Sequence, residues 1–316
     1  MKIGNIELKN PYILAPLAGI ADVGFRKVCR DAGASLSFTE MVSCKGLKYG
    51  NCNTIKLLKK ADNENPVGVQ IFGSDVDVFA EIVGSGVFDE FDVIDINMGC
   101  PVPKVAGKGE GANLMLHEEL AEQLIMAVVK NTTKPVTVKF RKGWDESLVN
   151  AVEFAKMCEG AGASAVTVHG RTRQQLYSGK ADYGIIAKVK EAVKIPVIGN
   201  GDVFSKADAE KMFKETNCDG IMIARGAIGA PWLFSELLDI PYSKNKFDTM
   251  REHFELLQEA FDEHHAVVNM RKHFSAYFKG LKNGAVYRGE INKLNTKVEI
   301  FELLKLIESN NTNERD

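Results

Sequence analysis

Eight short segments rich in valine and isoleucine recur before residue 230, and longer stretches with helical character separate them. Strands with such nearly continuous apolar runs are buried on both faces, as parallel strands are when helices cover their sheet. The segments are YILAPL (12–17), LSFTEM (36–41), VGVQIF (67–72), FDVIDIN (91–97), VTVKF (136–140), AVTVHG (165–170), IPVIGN (195–200) and GIMIAR (220–225). Eight strand–helix units in about 230 residues predict an α/β fold of the (β/α)₈ or TIM-barrel type.

The stretches between these segments carry helix signals. HEELAEQLIMAVVKNT (117–132) places Leu120, Leu124, Ala127 and Val128 on one face at helical spacing. SLVNAVEFAKMCEGAGA (147–163) and SKADAEKMFKETNCDG (205–220) each open near a serine and close on glycine, which are helix start and stop signals. An open doubly wound sheet is the alternative, but GKGEG (107–111) follows a cysteine-containing loop and is not a first-turn G-x-G-x-x-G.

The strand signal disappears after about residue 242. FDTMREHFELLQEAFDEHHAVVNMRKHFSAYFKGLK (247–282) has helical periodicity and no strand signal. We therefore predict two domains, a barrel over residues 1–241 and a small all-helical domain over residues 242–316, joined near Pro241.

Composition excludes several classes of protein. Hydrophobic residues make up 45% of the chain and charged residues 26%, which is ordinary for a globular protein. No stretch approaches the roughly 20 apolar residues of a membrane helix, and no secretory signal is present, so we expect a cytoplasmic protein without a membrane partner. Six cysteines without a C-x-x-C pair predict reduced thiols. The histidines of the tail lack a ligand pattern, so no metal is predicted, and no segment indicates an obligate protein partner.

Polar groups stand at nearly every predicted strand end. Catalytic and binding side chains of a barrel lie where its strands end and the following loops begin. A scatter of solvated polar residues is the alternative, but it rarely supplies an amide, a charge or a thiol at so many ends. The ends carry Pro16 to Gly19, Glu40, Gln70, Asn97 with Cys100, Lys139 with Arg141, His169 with Arg171, Asn200 to Asp202, and Ala224 to Gly226.

The last two strand ends predict a phosphate site. Barrels commonly bind phosphate after strands seven and eight, where glycines leave backbone N–H groups open, and Arg225 adds a cation. The amide of Gln70 suits a ring with donors and acceptors on its edge, and Lys139 suits a ring that becomes anionic on reduction. Reduced flavin has these properties, so we expect FMN. A Schiff-base role for Lys139 in an aldolase-type barrel is the alternative.

These segments together resemble the tRNA-dihydrouridine synthases, most of all the bacterial B-type members. The resemblance extends from about residue 3 to residue 300 in the family's order, and DINMGCP combined with the tail motif is its specific part. The matching segments are APLAGIADVGFR, TEMV, VQIFG, DINMGCP, VKFRKGW, VHGRTR, IGNGDV, ARGAIGAPW and MRKHFSAYFKGL.

The resemblance implies a flavin barrel followed by a helical tRNA-binding domain. In such enzymes NADPH or NADH reduces FMN, and the reduced flavin saturates the C5–C6 bond of uridine in tRNA. Asn97 and Arg141 are implied near the substrate base. The implied FMN contacts are Pro16, Leu17, Ala18, Gln70, Lys139, His169, Asn200, Gly201, Asp202, Ala224, Arg225 and Gly226.

The same resemblance implies that Cys100 is the catalytic acid. Hydride from flavin N5 adds to uracil C6 and leaves negative charge over C5 and O4, so C5 needs a proton from the face away from the flavin. A thiol with an ordinary pKa of about 8.5 is mostly protonated at neutral pH. Pro101 and Pro103 stiffen its loop. Glycines at 107, 109 and 111 lead us to expect that the following segment closes over the base.

A local excess of basic residues lies in the tail, although the net charge of the chain is only −2. Residues 271–297 hold seven lysines and arginines and one acid, Glu290, whereas residues 251–270 hold five acids and one arginine. A solvated helix face is the alternative, but the concentration of charge on one element favours contacts with phosphates. The predicted tRNA contacts are Arg271, Lys272, Lys279 and Lys282, with Arg173 extending the surface to the barrel mouth.

Two other functions stay open at this point. One is an FMN barrel that acts on a free pyrimidine such as dihydroorotate, with the tail as an interaction module. The other is an RNA-binding protein whose barrel has lost its activity. The tail motif argues against the free-pyrimidine enzyme. The presence of Cys100, Lys139 and His169 argues against an inactive barrel.

Overall fold

All eight predicted strands form one parallel barrel in the computed structural model, which describes residues 1–312. Two short strands, β1 (Lys2–Ile3) and β2 (Ile6–Glu7), precede the barrel strands β3 (Tyr12–Leu14), β4 (Ser37–Ser43), β5 (Val67–Phe72), β6 (Val93–Met98), β7 (Val136–Gly143), β8 (Ala165–Thr172), β9 (Val197–Asn200) and β10 (Gly220–Ile223). Neighbouring strands pair in the order β3-β10-β9-β8-β7-β6-β5-β4, and a parallel bridge from Ile13 to Leu36 closes the ring between β3 and β4. The TIM barrel is thereby confirmed.

The hairpin of β1 and β2 closes the N-terminal end of the barrel, and the strand pattern did not predict it. Ile3 and Leu8 are buried in one cluster with the interior side chains Phe38, Ile198 and Met222. Phe38 fills the space beside Gly68, where a Cβ atom would lie 2.3 Å from the phenyl ring. This end is packed with apolar groups, and the polar residues at the ends of the strands lie at the opposite end of the barrel.

Helices cover the outside of the barrel, and their ends only partly follow the predicted signals. Ser205 caps the helix 206–216 as expected, but that helix ends at Asn217 in the left-handed conformation (φ 52°), not at a glycine. The helix predicted from Ser147 begins at Ala151, because Ser147 bonds Asp145 in a turn. The helices are α1 (Val23–Asp31), α2 (Cys44–Lys48), α3 (Cys52–Lys56), α4 (Val76–Gly84), α5 (Pro103–Ala106), α6 (Glu118–Lys130), α7 (Ala151–Gly160), α8 (Tyr183–Ala192), α9 (Lys206–Thr216) and α10 (Leu233–Leu237).

The tail is helical, as predicted, over its described residues. It consists of α11 (Lys246–Ala260), α12 (Glu263–Tyr277), α13 (Gly284–Ile291) and α14 (Lys297–Thr312). Phe274 and Tyr277 of α12 and Phe278 just after it are buried in a cluster that also holds Val23 of α1. Residues 313–316 of the predicted second domain lie outside the described residues. None of the helices within 1–312 combines the length and apolar character needed to cross a bilayer.

A buried carboxylate joins the tail to the barrel. Asp22 caps α1 by accepting a hydrogen bond from the backbone N–H of Phe25. Its two oxygens also lie 3.2 Å from Nε2 of His253 in α11 and 2.7 Å from Nε2 of His273 in α12. Phe25 stacks on the His273 ring, with centroids 5.4 Å apart. One side chain therefore fixes the start of α1 and two tail helices at once.

We expect Asp22→Ala to lower the free energy of unfolding by about 3 kcal/mol, because it removes a helix cap and leaves two buried histidines without their acceptor. Asp75 is the matched control, since it caps α4 by the same kind of bond, to Val78, and within residues 1–312 no hydrogen bond or ion pair joins it to a tail helix. Asp75→Ala should cost only about 1 kcal/mol. Urea denaturation followed by circular dichroism measures both, and equal losses would contradict a linking role for Asp22.

Candidate active site

A cavity of about 310 Å³ opens at the carboxyl ends of the barrel strands. Its volume lies at the lower end of the range for clefts that bind small molecules. The wall contains most of the residues that the sequence predicts for a site, drawn from strand ends along the whole chain. They are Pro16, Leu17, Ala18, Asn97, Cys100, Lys139, Arg141, His169, Asn200, Gly201, Asp202, Ala224, Arg225 and Gly226.

Six predicted site residues are not on this wall. Gln70 is fully buried behind it. Arg173 lies against Trp144, with its guanidinium carbon 4.7 Å from the ring centroid. Arg271 donates to the carbonyl of Leu294, so it braces the tail. Lys272 lines a second cavity, whereas Lys279 and Lys282 are exposed beyond the end of α12.

The cavity is rich in positive charge. Lys139, Arg141 and Arg225 line it, and Arg171 lies beneath. Burial, together with the charge of Arg141, lowers the pKa of Lys139 to about 8. Burial and four neighbouring cations hold the pKa of His169 well below its ordinary value, so its imidazole is neutral at neutral pH. Such a site favours an anionic ligand and offers it one neutral ring that is able to donate or accept a hydrogen bond.

Asp202 organises the arginines at the end of β9. Its carboxylate accepts from Arg171 at 2.7 Å, from Arg225 at 3.0 Å and from the backbone N–H of Ala181 at 2.7 Å. Nη1 of Arg171 is buried and has no hydrogen-bond partner among the described residues. It lies 3.6 Å from the position that a Cβ on Gly201 would occupy. This arrangement fits a phosphate group, because the free nitrogen of Arg171 can donate a hydrogen bond to it and Gly201 has no side chain to block its approach.

A hydrogen-bonded chain of side chains holds the turn that carries Cys100. The carboxylate of Asp95 accepts from Nε2 of Gln70 at 2.6 Å, and Oε1 of Gln70 accepts from Nδ2 of Asn97 at 2.8 Å. Oδ1 of Asn97 then accepts from the backbone N–H groups of Gly99 at 3.1 Å and Cys100 at 2.9 Å. Each amide is oriented by its neighbour. Gln70 therefore supports the site from behind the wall, through Asn97.

The Cys100 thiol is enclosed but reaches the cavity. Cys100 is 8% exposed, and Arg141 donates to the carbonyl of Gly99 next to it at 2.8 Å. Gly111 (φ +59°) packs against it so closely that a Cβ there would lie 3.0 Å from the Cβ of Cys100. Burial raises the pKa of the thiol, and the opposing effects of the Val102 N–H and of the two nearby cations are smaller. The group is therefore a protonated thiol at neutral pH.

Ten residues of the cavity wall were not predicted as site residues, among them Met41, Tyr177 and Phe204. Met41 follows Glu40 on β4 and lines the cavity. Tyr177 and Phe204 are 56% and 53% exposed, and their ring centroids lie 5.5 and 5.7 Å from the Arg225 guanidinium. Both aromatic residues stand in loops after strand ends, and this position is the signal that would have identified them.

The family of this chain follows from its match to a family model described as dihydrouridine synthase (Dus), which covers residues 13–313. The chain belongs to the dihydrouridine synthase family. It is 39% identical over 314 residues to a probable tRNA-dihydrouridine synthase of Rickettsia conorii, covering 96% of this chain and 94% of that protein. It is 37% identical over 303 residues to tRNA-dihydrouridine synthase B of Pasteurella multocida, covering 93% and 91%.

Solved structures support the fold of this dihydrouridine synthase family member. Histamine dehydrogenase from Rhizobium sp. 4-9 superposes with a TM-score of 0.59 at 13% identity, over 81% of this chain and 50% of that one. The 6-hydroxypseudooxynicotine amine oxidase of Pseudomonas geniculata N1 superposes with a TM-score of 0.60 at 12% identity, over 76% and 48%. The chain spans about half the length of these two proteins, and the likeness concerns the barrel fold alone.

We expect iodoacetamide to alkylate Cys100 slowly at pH 7.5, because the reactive thiolate is disfavoured by burial. Cys52 is exposed and serves as the internal control. Peptide mass spectrometry after timed alkylation should show Cys52 modified first and Cys100 gaining reactivity only at higher pH. Faster labelling of Cys100 than of Cys52 at pH 7.5 would contradict a protonated, enclosed thiol.

Proposed function

We propose that this protein reduces the C5–C6 double bond of uridine in tRNA, giving 5,6-dihydrouridine, with FMN as its cofactor and NADPH or NADH as reductant. Membership of the dihydrouridine synthase family supports the reaction, and the names of its Rickettsia and Pasteurella relatives support tRNA as substrate. The observation that carries the proposal is the pairing of a cation-rich cavity with a protonated thiol on a fixed turn. A cytoplasmic location is part of the proposal.

The residues of the cavity fit FMN. Arg171, Arg225 and the backbone at Gly201 and Gly226 suit its phosphate, and Lys139 and neutral His169 suit a ring that gains negative charge. When bound, FMN supplies the hydride for the uracil ring after reduction by NADPH or NADH. The carboxylate of Asp202 forms ion pairs with Arg171 and Arg225. In this proposal Asp202 orients the two arginines, and the arginines bind the phosphate.

Cys100 holds the proton that the substrate carbon needs. Its raised pKa keeps the thiol protonated until charge develops on the base. Asn97 fixes the backbone of Cys100, and Arg141 fixes the carbonyl of Gly99, so the thiol of Cys100 is held in one position. Arg141 also has the charge needed to stabilise an anionic uracil, which is why a role near the substrate base is kept for it.

Basic residues outside the cavity supply the proposed tRNA contacts. A target base inside folded RNA must be turned out of its stack, and contacts with phosphates help to offset that cost. Arg173 directly follows β8 at the barrel mouth, and Lys272 lines the second cavity at the seam between barrel and tail. Lys279 and Lys282 extend these proposed contacts along the tail, and Arg271 contributes by holding α12 to the loop at Leu294.

Cys100→Ala should retain FMN and its reduction by NADPH but slow tRNA reduction by about 10²–10⁴-fold, the usual contribution of a positioned acid. The measurement is anaerobic. The protein is reduced with NADPH, excess reductant is removed, and flavin reoxidation is followed after adding tRNA that lacks dihydrouridine. Cys218→Ala removes a similarly buried thiol outside the cavity and should react like the wild type. A normal rate in Cys100→Ala would exclude Cys100 as the acid.

The same assay separates tRNA from a free pyrimidine. Rapid reoxidation of the wild-type protein by tRNA, and not by free uridine or orotate, is the expected result. Reoxidation by orotate alone would establish a free-pyrimidine enzyme instead. A purified protein that neither contains nor binds FMN would overturn the flavin assignment.

Lys139 should make FMN affinity depend on alkaline pH. With a pKa of about 8, Lys139 is charged below pH 8 and neutral above it, while the flavin phosphate stays dianionic. Affinity should therefore be highest below pH 8, and the dissociation constant should rise about tenfold between pH 7 and pH 9.5. Lys139→Met should bind FMN more weakly at pH 7 and lack this decline. Titration followed by flavin fluorescence measures both, and parallel pH profiles would remove Lys139 from the site.

A further inference from the structure

A second cavity, of about 270 Å³, lies at the seam between barrel and tail. It shares a wall with the first. Residues 17, 18 and 20 line the first cavity and Gly19 lines the second, while Met41 faces the first and its neighbour Glu40 the second. Helices α3 and α12 form the opposite side. The two cavities are therefore separated by little more than the ends of β3 and β4.

Glu40 is the strand-end residue to which no role has been given so far. One oxygen of its carboxylate accepts from the backbone N–H of Gly19, which holds the side chain at the cavity wall. The other oxygen, Oε1, has no hydrogen-bond partner among the described residues. Burial raises the pKa of this carboxyl, and the Gly19 N–H and Lys272 only partly oppose that effect. A half-buried acceptor with one open oxygen favours a ligand that brings N–H donors.

Cations and an aromatic pair line the same cavity as Glu40. Lys56 of α3 is exposed and forms no ion pair within residues 1–312, and Lys272 of α12 lies across the cavity from it. Phe261 and His265 stack with centroids 4.2 Å apart. A phosphate alone is a poor occupant, because Glu40 would repel it, and an acidic peptide fails for the same reason. A nucleotide combines the donors that suit Glu40 with the phosphate that suits the lysines.

We propose that this cavity binds a second unpaired base of the tRNA, one with adjacent N–H donors on its Watson–Crick edge, as guanine has. Its edge faces Glu40, and its backbone lies between Lys56 and Lys272. This inference rests on the proposed function. Occupation of both cavities by bases of one RNA determines which uridine reaches the first cavity, so the second cavity is a specificity site.

The variant that tests this is Glu40→Gln in the full-length protein. The side-chain carbonyl of the glutamine can still accept a hydrogen bond from the Gly19 N–H. Its NH₂ group then points into the cavity and faces the N–H groups of the base, with which it cannot form a hydrogen bond. The dissociation constant for tRNA should rise about 10- to 150-fold, the range for lost hydrogen bonds to a charged acceptor. Flavin content and NADPH-dependent flavin reduction should not change. Glu81→Gln is the control, since Glu81 pairs with Lys48 outside both cavities.

Base identity is tested by replacing each unpaired guanosine of the tRNA with inosine, which lacks the 2-amino group. At one position, the replacement should weaken tRNA binding by the wild-type protein about tenfold or more. The same replacement should have little effect on binding by Glu40→Gln, because that variant already lacks the contact between Glu40 and the 2-amino group. Lys56→Ala should weaken binding and lower the slope of log affinity against log salt by about one, unlike Lys48→Ala.

Two results would overturn the inference. One is unchanged tRNA affinity in both Glu40→Gln and Lys56→Ala. The other is an inosine series in which no position distinguishes the wild type from Glu40→Gln. RNA binding is measured without turnover, so these outcomes are independent of the proposed function, which fails only if the wild-type protein does not reduce tRNA through a bound flavin.

Discussion

The carboxylate of Asp22 is the interaction on which the arrangement of the molecule depends. Burial opposes its ionisation, but the adjacent His273 and His253 outweigh that effect and hold its pKa well below the ordinary value. Burial and the neighbouring His273 in turn lower the pKa of His253 to about 4. A buried charge of this kind is tolerated only while its partners stay in place. The tail helices and the start of α1 are therefore stable together, and neither has its present position without the other.

This link reaches the active site because Asp22 is so close to it in the chain. Pro16, Leu17 and Ala18 line the first cavity, and Asp22 follows four residues after Ala18 at the start of α1. Displacement of α11 or α12 would act on this short segment directly. The wall of the proposed flavin site and the proposed RNA-binding tail are thus connected through a short segment, as a tRNA held on the tail would require if one of its bases is to meet the flavin.

The barrel and most of the cavity were predictable because their signals are local. A strand such as VGVQIF and its terminal polar residue are adjacent in sequence, and the barrel topology alone brings all such ends together. The Asp22 network was not predictable, because His253 and His273 follow Asp22 by 231 and 251 positions and their helix faces show no ligand pattern.

Gln70 illustrates a second limit of prediction from sequence. It was predicted as a cofactor contact from its place at a strand end, and only the structure shows that it lies in the layer behind the cavity wall. The two-residue strands β1 and β2 are too short for any periodicity.

The two carboxylates at the strand ends, Asp202 and Glu40, have different roles because they have different hydrogen-bond partners. Asp202 is saturated by Arg171, Arg225 and a backbone N–H, so it sets the geometry of cations and leaves the net charge of the first cavity positive. Within residues 1–312, the Glu40 carboxylate has one hydrogen-bond partner, the Gly19 N–H, and keeps its other oxygen open toward the second cavity. The same residue type thus strengthens anion binding in one cavity and favours N–H donors in the other. Side by side at one barrel face, the two cavities suit the two proposed occupants, a flavin with its phosphate in the first and the edge of a base in the second, and an RNA with a base in each cavity would be held in one orientation.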